Sequence, residues 1–470
     1  MAKALLWLRN DLRLADNPAL AAALDEGEVV PLYVLDPVAK LGGASLWWLH
    51  HSLASLRDDI AGRGGHLVVR RGDATKIVPA LARKIGAVSV HAGQAHEPWL
   101  RESDRAAAEA LARLDIPFHR QRSALLLSPE HIASRSGDPY RVYTPFSRAA
   151  FDAVHPRSPI APPDRLAGGG RVESERLEDW GLLPTQPDWA DGLRGAWTPG
   201  EAGAWARLGD FLEDDLAAYA RERDRPDRSG TSRLSPHLHW GEISIDAVWR
   251  EASAAKPDGS GKQTYLKELL WREFAGYLLW HNPKLAVEPL RAEYASFPWR
   301  RAPAELRAWQ HGRTGIPIVD AGMRQLWQTG WMHNRMRMVT ASFLVKHLLI
   351  PWQEGAAWFW DCLVDADAAN NAASWQWVAG CGTDAAPYFR VFNPVLQGWK
   401  FDPDGAYVRE FMPELAQLPD KFIQNPWEAP EDVLREAGVT LGKTYPRPIV
   451  DLKSGRNRAL AAFKEIGGKG

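Results

Sequence analysis

The 470-residue chain is 45% apolar and carries 57 basic and 58 acidic side chains, a composition that suits two soluble domains, each with its own core. A formal charge of -1 excludes a nucleic-acid partner held by net charge, so any such contact must rest on a local basic surface. No uncharged apolar run reaches the roughly 18 residues of a membrane span, and MAKALLWLRNDLRL is not a secretory leader, so a cytoplasmic protein is expected. Cys362 and Cys381 have no metal or disulfide spacing and are expected to pack as small buried side chains. One number stands out: 23 tryptophans, 15 of them from Trp240 onward. Each indole N–H needs a partner when buried, so this density exceeds what core filling demands.

The first 120 residues alternate β-like runs, ALLWL (4–8), VVPLYVL (29–35), HLVVR (66–70) and AVSVH (87–91), with helical stretches near 17–25, 46–62, 75–85 and 101–114. That alternation predicts a parallel sheet with helices on both faces, a Rossmann-like α/β domain. Neither GxGxxG nor GxxxxGK[ST] is present, so the usual phosphate chemistry of such sheets is not expected. From about Ser128 to Pro199 the pattern gives way to Pro, Gly and charge, as in RSPIAPPDRLAGGGR (157–171), and reads as a connector. Beyond Glu201 the apolar spacing is helical, which predicts an all-α second domain.

Four segments of that second half carry polar chemistry. In GTSRLSPHLHWGE (230–242), Ser235 as N-cap with Pro236 at N1 predicts a helix start whose free N–H groups suit an anion; an ordinary capped helix has the same residues. In KQTYLKELLWREFAGYLLW (262–280), Tyr265, Glu268, Trp271 and Arg272 share a stripe that either faces solvent or lines a polar-aromatic cavity. In GWMHNRMRMVTASFLVKHLL (330–349), Trp331, Asn334, Arg335 and Met338 fall on one helical face, with Arg337 turned aside. Guanidinium groups in so apolar a stretch need anionic partners, and Asp365 and Asp367 in DADAANNAASWQW (365–377) are the natural ones.

Together GTSRLSPHLHWGE, ELLWREF, GIPIVDAGMRQLWQTGWMHNRMRM, DADAANNAASWQW and GTDAAPYFRVFNP resemble, in this order, the motifs of the photolyase/cryptochrome family. The resemblance extends from LLWLRNDLRLADNPAL to YPRPIVD, nearly the whole chain. It implies an α/β antenna domain over 1–127, a connector over 128–199 and a helical domain over 200–470 that binds FAD in a folded form. Tyr219, Thr231, Ser232, Arg233, Leu234 and Ser235 would hold the FAD phosphates and ribityl chain. Tyr265, Arg272, Arg337, Asp365 and Asp367 would surround the remainder, with Arg337 paired to Asp365 and Asn371 facing flavin N5.

The resemblance also implies an activity. Glu268, Trp271, Asn334, Arg335, Met338 and Trp377 match the lesion pocket of enzymes that repair cyclobutane pyrimidine dimers, in which light drives an electron from reduced FAD into a flipped-out dimer. Enzymes acting on (6-4) photoproducts place a catalytic His near Met338, and His333 is not that signal. Trp375, Trp352 and Trp299 map onto a tryptophan relay that reduces the flavin, while Arg390 and Lys400 join Arg335 as expected phosphate contacts. ASLWWLHHSLASL (44–56) resembles the corresponding helix of plant cryptochromes and related bacterial photolyases. That implies a methenyltetrahydrofolate antenna touched by Trp47, Trp48 and Glu97. A monomer acting on dimer-containing DNA, with no membrane or obligate protein partner, is the expected form. The alternatives are a cryptochrome photoreceptor, disfavoured by Asn371 and the short tail after YPRPIVD, and a (6-4) photolyase, disfavoured by Met338.

Overall fold

A computed structural model describes residues 2–134, 136–166, 172–384 and 389–467. Five parallel strands, β1 (Lys3–Leu8), β2 (Glu28–Leu35), β3 (Val68–Arg71), β4 (Ala87–Gly93) and β5 (Phe118–Gln121), form one sheet in the order β3-β2-β1-β4-β5. Helices α1 (Pro18–Glu26), α2 (Gly43–Gly62), α3 (Ala74–Ile85) and α4 (Pro98–Ala112) complete the α/β unit. The local signals are the expected ones: Asn17 Oδ1 accepts from the N–H groups of Ala19 and Leu20 at the start of α1, and Gly86, at φ 65°, ends α3. Leu5, Val30, Val68 and Val90 pack one face of the sheet, and Leu6, Val29, Trp48 and Leu53 the other.

The fifth strand is the difference from expectation. FHRQ offers one apolar side chain, because β5 is a four-residue edge strand with a largely solvated face. The connector differs too, since it contains the helix α5 (Tyr143–Ala153), whose Tyr143, Phe146 and Ala150 are buried. Residues 167–171 of the expected connector and 385–388 of GTDAAPYFRVFNP lie outside the described residues.

The remainder is helical as predicted. The elements that build the site are α6 (Glu201–Asp210), α7 (Ile245–Ala254), α8 (Ser260–His281), α9 (Pro303–Gln310), α10 (Pro317–Thr329), α11 (Asn334–Ser342), α12 (Trp352–Cys362), α13 (Ala368–Ala379), α14 (Pro394–Phe401) and α15 (Leu452–Glu465). Cys362 and Cys381 are free and buried, and among the described residues no helix is long and apolar enough to cross a membrane. Polar bonds lock the helical half to the sheet. Trp48 Nε1 donates to Glu242 Oε1 at 2.9 Å, and Arg13 donates to the Gly241 carbonyl at 2.9 Å. Asp246, fully buried on α7, receives Arg122 at 3.0 Å and Arg157 at 2.8 Å. Burial opposes ionisation of Asp246, but the two guanidiniums outweigh it and hold its carboxyl below the ordinary value.

Candidate functional site

The long helix α8 supplies the first wall. Tyr265 is buried against Phe211 and Tyr219, and its hydroxyl donates to Ser232 Oγ at 3.3 Å. One turn later Glu268 forms a close ion pair with Arg223, whose guanidinium lies 5.7 Å from the Tyr219 ring. Trp271 stacks on Tyr143 of α5, with centroids 3.5 Å apart and planes 7° from parallel, and keeps 36% of its surface exposed. Arg272 turns inward to the carbonyls of Ala124 (2.8 Å) and Leu238 (3.4 Å). The stripe read from the sequence therefore serves two environments: Tyr265 and Arg272 face the interior, while Glu268 and Trp271 border solvent.

Thr231, Ser232 and Arg233 are half-buried ahead of the short helix Ser235–His239. The expected N-cap is corrected here: Leu234 occupies that position and Ser235 is the first helical residue, with no side-chain cap bond. Ser235 Oγ instead accepts from Trp331 Nε1 at 3.3 Å, and Arg233, held at φ 49°, places its guanidinium 5.0 Å from the Trp331 ring.

A second correction concerns GWMHNRMRM. The helix starts at Asn334, so Trp331 precedes it and shares no face with Asn334 and Met338. His333 is the N-cap, and its Nδ1 accepts from the Arg335 N–H at 3.2 Å. Burial pushes the His333 imidazole down to about 4, so it is neutral at physiological pH and spends its lone pair on the cap. Arg337 spans Asp365 with bonds of 2.8 and 3.0 Å, the pairing expected. Arg335 finds neither Asp365 nor Asp367; it pairs with Asp224 at 2.8 Å and lies 4.4 Å from the Phe401 ring of α14. Asn334 is exposed, and Met338 is half-buried with its sulfur 3.7 Å from Arg335.

Asp367 caps α13 by accepting from the Asn370 N–H at 2.7 Å, while its second oxygen lies 3.6 Å from His239 Nδ1 and 4.0 Å from His96 Nε2. Burial opposes its charge, but His239, His96 and Arg272 outweigh burial and hold the carboxyl far below the carboxylate range. Asn371 directs its amide N–H to the Ala356 carbonyl of α12 at 3.1 Å, which leaves Oδ1 as the free end. Trp377 is half-buried.

Trp375 and Trp352 are buried and Trp299 is half-buried. Trp375 lies on the backbone of α12: a Cβ on Gly355 would fall 2.1 Å from its Cη2. Trp352 begins α12, three residues before Gly355. Trp375 also meets Trp309 at 6.2 Å and Phe359 at 5.0 Å, and Trp299 meets Phe297 at 4.3 Å. Arg390 and Lys400 are exposed and form no ion pair among the described residues. In the sheet domain, Glu97 lines a crevice beyond the C-terminal ends of β1 and β4 together with Arg9, Asn10, Gly93 and His96. Trp47 and Trp48 sit in the core away from it. Trp48 is bonded to Glu242, whereas the buried Nε1 of Trp47 has no partner among the described residues.

The donor set fits a flavin dinucleotide. Carboxylates, guanidiniums and an amide, all buried or half-buried, are gathered here, which suits a polar guest rather than an apolar core. His239 Nδ1 and Arg335 Nε are buried without hydrogen-bond partners among the described residues. Sequence reading missed Tyr143, Arg223 and Asp224, the side chains that stack on Trp271 and pair with Glu268 and Arg335. Only the 3- and 4-residue spacing of Tyr143, Phe146 and Ala150 announced the first of them.

A parallel α/β sheet joined to a helical domain with such a shell defines the flavin-dependent class of DNA photolyases and their relatives. The chain belongs to the DNA photolyase family: residues 4–164 match the DNA photolyase model and residues 265–465 the FAD binding domain of DNA photolyase. It is 48% identical to the deoxyribodipyrimidine photo-lyase of Agrobacterium fabrum, over 99% of this chain and 98% of that one. It is 36% identical to cryptochrome-1 of Arabidopsis thaliana, over 98% of this chain and 70% of the relative. The crystal structure of a bacterial class III photolyase from Agrobacterium tumefaciens superposes with a TM-score of 0.97 at 48% identity, covering 99% of this chain and 98% of that one. The protein is thus a photolyase-type DNA repair enzyme with an FAD-binding helical domain.

Proposed function

We propose that the protein repairs cyclobutane pyrimidine dimers in DNA under blue light. The observation that carries this reading is a chain of contacts beside a shell suited to FAD: Glu268 pairs with Arg223, the adjacent Asp224 pairs with Arg335 at 2.8 Å, and Arg335 lies 3.7 Å from the Met338 sulfur. When bound, FAD supplies the light-driven electron; the protein binds, orients and excludes water. Arg337 paired with Asp365 would flank the isoalloxazine, Asp367 would meet its polar edge, and Thr231 to Ser235 with Tyr219 would hold the phosphates and ribityl chain. With its amide N–H committed to Ala356, Asn371 keeps an acceptor oxygen, which suits the N–H donor at N5 of a reduced flavin.

On the lesion side, Trp271 is backed on one face by Tyr143 and offers the other to a flipped-out base. Stacking of about 1–3 kcal/mol per base offsets the few kcal/mol of extrusion, which is smallest for damaged bases. Arg223 fixes the Glu268 carboxyl at the mouth, where it faces the lesion as a hydrogen-bonding group. Dimers are favoured over (6-4) photoproducts because the thioether Met338 has no proton to give, and His333 is neutral and occupied as a cap. Electrons would pass inward from half-buried Trp299 through Trp352 to Trp375, both of which are buried. Arg335, Arg390 and Lys400 would meet phosphates, with affinity falling as salt rises.

The antenna reading is methenyltetrahydrofolate in the domain formed by residues 1–127, with the unpartnered N–H of Trp47 a donor toward it. The segments 128–199 and 200–470 would then be connector and flavin domain, and the protein a monomer. Glu268→Ala tests the central assignment. Repair yield should fall while the flavin absorbance is retained; loss of flavin would move Glu268 into the cofactor shell and refute its lesion role.

A further inference from the structure

We propose that the edge of the sheet domain, remote from the flavin shell, holds a divalent transition-metal ion such as Zn2+ between Glu26, His91 and His119. β4 and β5 pair in a register that places His91 directly opposite His119, so both imidazoles leave the same face of the sheet. Helix α1 packs on β4 and ends at Glu26, which it delivers to the same spot. One ligand atom from each of the three side chains lies within 4.8 Å of the others. Glu26 Oε1 stands 3.4 Å from His91 Nε2, the separation of two donors about 2.0–2.1 Å from a shared tetrahedral zinc.

Three further features favour a cation there. His91 is 2% exposed, and its Nδ1 lies 3.2 Å from the side-chain amide of Gln121. Nε2 lies 3.0 Å from Ser89 Oγ, and the Gln121 oxygen has no partner among the described residues, so turning that amide lets Oε1 accept from Nδ1–H and favours the tautomer whose Nε2 lone pair a metal would take in place of the proton shared with Ser89. Ser89 Oγ makes a short hydrogen bond to the second oxygen of Glu26 and orients the carboxylate. Glu26 also ends α1 at the negative pole of the helix dipole, with no basic residue in the last turn to compensate it. His119 and Glu26 are exposed, which provides an entry path and leaves a position for water. The ion would tie the polar edge strand β5 to the C-terminal end of α1.

The test uses full-length, flavin-loaded protein, freed of any affinity tag and stripped with chelator, titrated with Zn2+ by calorimetry and with Co2+ by visible absorption. The parent should bind one ion that raises its Tm and gives Co2+ the intense absorption of a four-coordinate site. His119→Ala and Glu26→Gln, both at exposed positions, should abolish the uptake, and Gln121→Leu should weaken it about 10–100-fold. No uptake by the parent, or equal uptake by His119→Ala, overturns the site.

Discussion

Replacing Trp271 by Ala separates recognition of damage from binding of DNA in general. The indole lies flat on Tyr143 at 3.5 Å and keeps 36% of its surface exposed, which suits the proposed stacking platform better than a buried core side chain. Losing one base stack of about 1–3 kcal/mol weakens binding roughly 5- to 160-fold, at RT of about 0.59 kcal/mol. Undamaged duplex, for which Arg390 and Lys400 are the proposed contacts, should bind as before. Folding should lose only the ring pair with Tyr143, about 0.5–1.5 kcal/mol beyond area. The assay is fluorescence anisotropy in darkness with matched oligonucleotides, one carrying a single dimer, at fixed salt. Trp271→Phe should recover most of the difference. Equal loss on damaged and undamaged DNA would refute the platform, as would no loss on either.

Arg337→Ala strands Asp365, which is buried, and should cost on the order of 3–5 kcal/mol, seen as a lower Tm and a reduced ratio of flavin to protein absorbance. Trp352→Phe should block photoreduction of oxidised flavin yet leave repair by chemically reduced protein unchanged; unimpaired photoreduction would remove Trp352 from the relay. The depressed carboxyl of Asp246 stabilises the fold above its unfolded-state value, and this contribution is lost as pH falls through the native one. Asp246→Asn should therefore lower Tm at neutral pH, with the gap to the parent narrowing under acid conditions. A gap independent of pH would show that charge on Asp246 is not what holds Arg122 and Arg157.

Four strands and the helix that follows each were legible because their apolar periodicity matched the sheet's demands. β5 was not, since an edge strand facing water needs little hydrophobic pattern. In the helical half the residue types announced buried chemistry, but partner choice did not follow from them. Arg337 took the aspartate expected of it, whereas Arg335 took Asp224 from RERDRPDRSG, a stretch too uniformly charged to single out one carboxylate as its partner. Glu268 was legible and Arg223 was not, for the same reason. The start of α11 was misplaced by three residues because the apolar spacing runs back through Trp331, while the capping bond from Arg335 N–H to His333 decides where the helix begins.

The most direct test compares two lesions under one lamp. Reduced, flavin-loaded protein is incubated with duplexes carrying either a cyclobutane dimer or a (6-4) photoproduct, in blue light and in darkness, and the restored bases are quantified by chromatography. Restoration of the dimer alone, and only in light, is the predicted result. Dimer loss that is equal in light and darkness, or repair confined to the (6-4) lesion, would contradict it.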